Sequence, residues 1–205
     1  MRMMRWIWLA VAGAALSACG GTGDMVMRNA PLDLGPAAEI AAPQSTRSYE
    51  IVELNFVAPE ALTVSERNGY YPLADIVWRG DAIGDRKAQL AAIFQEAFDR
   101  GAAQVPGTRP VVVDIALVRF HGVTERVRYS VGGNYNMIFD MTVRDATTGA
   151  VIEPARRITG NLAAPGGTAA IMAEQAGQTE KVRVTDYLTV LLQDELSGPV
   201  TVASR

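Results

Sequence analysis

One cysteine and one histidine are all that the 205 residues supply of two side chains much used in metal ligation and catalysis. With Cys19 alone, no internal disulfide can form, so the fold must be held by its core. His121 stands at a strand end between Phe120 and Gly122, and no G-x-S-x-G is present to give it a nucleophile. A histidine-based metal site lacks ligands for the same reason, and no cofactor is implied. Aromatic residues are sparse, at 7%. No apolar run reaches the ~20 residues of a membrane-spanning helix. An excess of positive charge is also missing: 19 basic side chains face 22 acidic ones, for a net charge of −3. That balance excludes the basic surface of a nucleic-acid binder. Gly132-Gly133 is no phosphate loop, because neither the lysine, the Ser/Thr nor the following helix is in place.

What is present begins at the N-terminus. Arg2 and Arg5 precede the apolar run Trp6 to Ala15, which ends in Leu16-Ser17-Ala18-Cys19-Gly20. A basic start, a short apolar core and small residues at the end describe an exported signal segment. The order large apolar, Ser, Ala, Cys resembles the lipobox of bacterial lipoproteins. That resemblance implies that the Cys19 thiol carries a diacylglycerol and begins the mature chain at a newly acylated amino group. Thioether chemistry admits no other residue type there. Acyl chains contribute about 0.8 kcal/mol per buried methylene, so two or more hold firmly to a membrane. Gly20 at the next position lacks the aspartate of inner-membrane retention, which implies outer-membrane delivery facing the periplasm. Without Arg2 and Arg5 the balance becomes 17 basic against 22 acidic side chains, or −5.

Residues 1–18 are therefore expected as signal peptide and 19–47 as a lipidated start and flexible tether. Glycine-rich composition and Pro31, Pro36 and Pro43 oppose a helix across the tether. A coil of this length has a root-mean-square reach of roughly 30 Å. Residues 48–196 are expected as one α/β domain, and 197–205 as a C-terminal tail.

Within the domain, Tyr49 to Val57 reads as a strand with Val52, Leu54 and Phe56 on one face. A short extended piece is expected over Ala74 to Trp78. Leu90, Ile93, Phe94, Ala97 and Phe98 repeat with helical spacing, and Gly101 is the expected stop. Val111 to Val118 is almost continuously apolar, as a central strand is. Tyr135, Met137, Phe139, Met141 and Val143 alternate with polar neighbours, and Asp145 to Gly149 turns the chain. The strand from Val151 to Ile158 carries Pro154 and so is expected at an edge or to break there. A Gly/Ala-rich loop is expected over 160–167. Thr168 to Gln175 has helical character before Gly177. Val184, Tyr187, Leu188, Leu191 and Leu192 mark a final helix over 178–196. The fold class is α/β (α+β): a two-layer sandwich with a mixed sheet of about four strands and two main amphipathic helices on one face.

The most distinctive stretch of the mature chain is Trp78-Arg79-Gly80-Asp81-Ala82-Ile83-Gly84-Asp85. Asp81 and Asp85, near a helix start, suit capping. Together with Asp75 they are also the carboxylates from which an acid–base or cation site would have to be built. Asp75, Trp78, Arg79, Asp81 and Asp85 form the candidate surface site. Asp140 and Arg144 share the polar face of a strand, where cross-strand ion pairing is the ordinary role.

The run Ala74 to Asp81, the Gly132-Gly133 pair and the turn Asp145 to Gly149 resemble a family of uncharacterised lipoproteins of Gram-negative bacteria, over most of 49–195. The element order is similar to that of small periplasmic α/β modules of envelope assembly, including the curli-secretion-channel lipoprotein. Two functions follow as expectations. One is a non-catalytic envelope module, held to the membrane through acyl chains on Cys19 and binding an envelope protein or peptidoglycan. The other is a carboxylate-based hydrolase or transferase using the 75–85 loop. Self-assembly is a third possibility, and the sequence fixes no oligomeric state.

Overall fold

The structure, a computed structural model, describes residues 44–71 and 73–201. The expected signal peptide, Cys19 and the tether before Gln44 lie outside the described residues, as do the final four of the tail. The elements in chain order are β1 (Gln44–Thr46), β2 (Tyr49–Val57), β3 (Ile76–Val77), α1 (Arg86–Ala102), β4 (Arg109–His121), α2 (Glu125–Arg128), β5 (Gly133–Asp145), β6 (Val151–Ala164), α3 (Thr168–Gln175), α4 (Glu180–Ser197) and β7 (Pro199–Thr201). Among the described residues no helix is long and apolar enough to cross a membrane.

A five-stranded mixed sheet forms the first layer, with order β2-β4-β5-β6 and β3 added beside β4. Strands β2 and β3 both run parallel to β4, while β5 and β6 follow antiparallel. The first β–α–β connection is therefore parallel, and β5–β6 is the hairpin that Asp145 to Gly149 announces. Helices α1 and α4 cover one face as the second layer. Their stripes Leu90, Ile93, Phe94, Ala97, Phe98 and Val184, Leu188, Leu192, Leu196 join one core with Val111, Val113, Ile115, Leu117 and the inward residues of β5. Phe94 stands at its centre, stacked on Phe56 at 4.7 Å and edge-on to Phe139 at 5.4 Å.

Five differences from the sequence reading have physical causes. In β2 the pairing slips between Ile51 and Glu53, so Val52 is a bulged residue and its side chain is 52% exposed. Tyr49 and Ile51 face the core before the bulge, Leu54 and Phe56 after it. Strand β4 is central, yet only one of its faces is sealed: Val111, Val113, Ile115 and Leu117 are buried while Ala116 and Arg119 are exposed. Gly101 does not stop α1. It lies inside the last turn, where an added Cβ would stand 3.1 Å from the Thr189 carbonyl oxygen, and so it lets α1 and α4 approach. The stretch from Gly160 to Ala164 is strand rather than loop, because β6 continues to pair with β5 as far as Gly133. Residues 44–46 and 199–201, expected in tether and tail, pair with each other as β1 and β7.

Both outer strands have blunted edges. On β6, the Asn161 N–H donates to Tyr187 Oη at 2.9 Å and Arg183 Nη2 donates to the Ala163 carbonyl at 2.6 Å, while Pro154 has no N–H to offer. On β2 the bulge at Val52 interrupts the row. Replacing Phe94 by Ala should cost about 3–5 kcal/mol of stability in urea unfolding of the mature chain, as large core truncations do. Val190→Ala, on the exposed side of α4, should stay within about 0.5 kcal/mol.

Candidate functional site

The stretch after β3 folds inward, because Trp78 is completely buried and meets Phe120 edge-on at 5.6 Å. Its Nε1–H donates to Asp81 Oδ2 at 2.7 Å. Gly80 must be glycine here, since a Cβ would lie 2.2 Å from the Trp78 ring. Asp81 Oδ1 accepts from Lys181 Nζ at 2.8 Å. Burial alone would raise the Asp81 pKa, but the hydrogen bonds from Lys181 and Trp78 outweigh it and hold the carboxyl below its ordinary range.

The other candidates have separate duties. Asp85 is the N-cap of α1, accepting from the Lys87 and Ala88 N–H groups at 3.0 and 3.1 Å. Asp75 accepts from the Thr63 N–H at 2.8 Å and the Thr63 hydroxyl at 2.7 Å, which lower its pKa. Arg79 has a side chain only 5% exposed, paired with Glu66 and lying 3.7 Å from Glu125. The three aspartates thus have three different sets of partners, and the carboxylate-based hydrolase or transferase loses the convergence it requires. Among the described residues no group of three or more His, Cys, Asp or Glu is placed to hold a metal ion.

Residues that the sequence did not single out complete this network. Glu66 accepts from Arg86 Nε at 2.7 Å and Nη2 at 3.0 Å as well as from Arg79. The Arg86 hydrogen bond chiefly holds the Glu66 carboxyl below its usual range. Arg86 also donates to the Asp81 and Ala82 carbonyls at 3.1 Å, fastening the loop to α1. Deeper in, Glu180 in the first turn of α4 accepts from Tyr135 Oη at 2.7 Å and pairs with Arg128, which also reaches Glu174 at 3.1 Å. Burial pushes the Tyr135 hydroxyl up to about 12. At the other end of β4, Arg47 binds Glu153 through Nε and Nη2 at 2.6 and 2.8 Å and donates to the Gly198 carbonyl at 3.0 Å. Tyr49 Oη gives Glu153 a further bond at 2.7 Å.

Asp140 and Arg144 do form cross-strand pairs, each with a different partner. Asp140 meets Arg157 of β6 at 2.9 Å, and Arg144 Nη2 meets Asp114 of β4 at 2.7 Å. These pairs lie on the sheet face that the helices leave uncovered.

A concavity opens where β3 and β4 end and β5 begins. It is a cavity of about 270 Å³ lined by Tyr70, Tyr71, His121, Thr124, Val131 and Asn134 among others. Carboxyl ends of parallel strands are the usual place for such a crevice. Gly132 lines it and packs closely against Gly166. Gly132 has a φ of +71°, and a Cβ on Gly166 would fall 2.1 Å from the Gly132 nitrogen, so only glycines allow the two segments to close. Tyr71 and Val131 are 88% and 76% exposed at the mouth.

His121 is committed on both ring nitrogens. The Ala74 carbonyl can only accept, so Nε2 carries the proton, and Nδ1 accepts from Arg119 Nη2 at 2.7 Å. Burial is the main cause that lowers its pKa, and the Arg119 charge adds to it. The ring is a neutral strut between β4 and the 74 carbonyl.

Fold and site define an α+β domain with one helix-covered sheet face and a cavity at the carboxyl end of its parallel strands. Residues 49–205 match DUF6778, a family of unknown function, and the chain belongs to that family. No curated protein matches the sequence. Among solved structures the chain is similar to XCC0632 from Xanthomonas campestris, a DUF330 protein, at 13% identity over 77% of this chain and 86% of that one, with a TM-score of 0.42. It is similar to a candidate lipoprotein from Caulobacter crescentus CB15 at 18% identity, 70% and 87% coverage and a TM-score of 0.34. It is also similar to a PelC dodecamer from Paraburkholderia phytofirmans at 12% identity, 74% and 90% coverage and a TM-score of 0.34. At such identities and TM-scores none of these likenesses bears on function.

Glu66→Gln leaves Arg79 and Arg86 without their shared counter-charge. It should destabilise the domain by about 1–3 kcal/mol in urea unfolding, discounted because Glu66 is partly exposed. His121 supplies a pH dependence whose sign is fixed. Its folded pKa lies below its unfolded value, so the unfolded chain takes up the proton first. Stability should be complete above about pH 6.5 and fall as the pH drops through the lower folded value. In thermal melts His121→Gln should flatten that stretch of the profile; an unchanged slope would exclude the histidine as its source.

Proposed function

We propose that the mature chain is a lipid-anchored, non-catalytic binding module of the bacterial cell envelope. Its anchor is a diacylglycerol on Cys19, and its place is the outer membrane facing the periplasm. One observation carries this reading: Leu16-Ser17-Ala18-Cys19 follows a basic start and an apolar core, and its cysteine is the only one in the chain. The domain adds support of a different kind. The carboxylates of Asp75, Asp81 and Asp85 are each spent on a turn, a buried indole and lysine, or a helix cap. His121 is spent on Ala74 and Arg119. What the domain leaves open is a cavity with an exposed apolar lip, which suits binding rather than group transfer.

The anchor is tested by growing cells with radiolabelled palmitate. The wild-type chain should carry label and sediment with membranes, and Cys19→Ser should lose both. A Cys19→Ser chain that still carries label would sink the lipobox reading. Binding is tested by capture from solubilised envelopes, where a specific protein or peptidoglycan fragment should be recovered with the wild-type chain.

A further inference from the structure

The charge around the cavity departs from that of the chain as a whole. The chain is net negative, and most described cations have carboxylate partners. Arg67, Arg119 and Arg126 are exposed and have no ion-pair partner among the described residues. Two of them touch residues that line the cavity, and the third lies in the neighbouring loop. Arg126 sits over the Tyr70 ring at 5.6 Å. Arg119 bonds His121 Nδ1 at 2.7 Å. Arg67 lies in the loop of Gly69, next to Tyr70, and Gly69 itself accepts from Thr124 Oγ1 at 2.9 Å. Nearby acids make their hydrogen bonds and ion pairs elsewhere, Asp75 with Thr63, Glu66 with Arg79 and Arg86, Glu125 with Arg79, although Asp75 is close enough for the Arg119 charge to help lower its pKa. Arg119 and Arg126, in contact with His121 and Tyr70, and Arg67 in the neighbouring loop thus stand beside an opening whose lip is Tyr70, Tyr71 and Val131.

We propose that this cavity docks an acidic polypeptide segment of a partner protein, one large apolar side chain entering it and flanking carboxylates meeting Arg67, Arg119 and Arg126. Volume fixes the scale: about 270 Å³ accommodates a single bulky side chain, below the usual range for a drug-sized ligand. Charge complementarity fixes the sign of the flanks. Concavity separates a peptide from a lipid surface, because a membrane-binding site presents its aromatics on a protrusion or an amphipathic helix face, whereas here they rim a hollow. The proposal rests on the binding-module reading and gives that module its ligand chemistry.

The test uses the full mature chain, purified in detergent. The probe is the synthetic peptide Asp-Asp-Asp-Phe-Asp-Asp-Asp with a photoreactive phenylalanine at its centre. It should bind in a salt-sensitive manner, and crosslinks should map to residues 67–71 and 119–134. The counterpart with lysines and that with a central alanine should each bind at least about tenfold more weakly. The Arg119→Glu/Arg126→Glu double variant changes two exposed residues and should lose about tenfold toward the acidic probe while gaining affinity for the basic one. Equal binding of the acidic and basic probes, crosslinks elsewhere, or unchanged affinity of the double variant would overturn the proposal. So would binding to phosphatidylglycerol vesicles with no binding of the peptide. Palmitate labelling separates the two readings: a labelled chain that ignores the peptide fails the pocket alone, and an unlabelled chain that binds it fails the anchor alone.

Discussion

Asp81 ties together three parts of the domain that also share its core: the Trp78 loop and the first turns of α1 and α4. Its carboxylate takes the indole proton of a fully buried tryptophan and the ammonium of Lys181 in the first turn of α4. Its own carbonyl takes a guanidinium from the first turn of α1. The two helices that seal the sheet therefore begin from a common point. Because one sheet face is covered and the other is left to water, helix position decides whether the core is dry. A carboxylate so engaged is also a poor acid or base. Its proton affinity is pulled down by the groups it holds, and releasing it for chemistry would loosen both helices.

The elements with a strong period were legible from sequence. Leu90 to Phe98 and Val184 to Leu192 cover the sheet as helices, and Tyr135 to Val143 face inward along β5. The failures came where a local signal had two physical meanings. Gly160 looked like part of a loop, yet an added Cβ there would lie 3.0 Å from both Leu191 Cδ2 and Tyr187 Cε1. The glycine marks close helix packing on a strand. Val52 looked inward because simple alternation cannot foresee a bulge. Of the candidate site, the residues stood out in the sequence, but their partners were not visible. Glu66 comes from 20 residues before Arg86 and Lys181 from 100 residues after Asp81. No spacing rule connects such pairs; only the fold does.

The two ends of β4 have different characters. At its start, Arg47 and Tyr49 lock onto Glu153, whose carboxyl burial would raise but whose hydrogen bonds with Arg47 and Tyr49 hold low. The chain is thus gripped between β1 and the first residue of β2, where it enters the five-stranded sheet. At the finish of β4, His121 closes the strand and the cavity opens. Tyr70 and Tyr71 line it, Arg126 sits over Tyr70, and Gly132 in its wall closes against Gly166. Grip and opening are kept apart by the length of the longest parallel-paired strand.

The closed edges of the sheet have a consequence for crowding. Proteins tethered to one surface meet their copies in two dimensions, where local concentration is high and collisions are oriented. A bare strand edge in that setting would recruit its neighbour backbone to backbone. Here Tyr187 and Arg183 already occupy two backbone groups of β6, at Asn161 and Ala163, and a bulge breaks the row on β2. Copies of such a domain brought close together would meet there as side-chain surfaces, with fewer open backbone groups to zip into a continuous sheet.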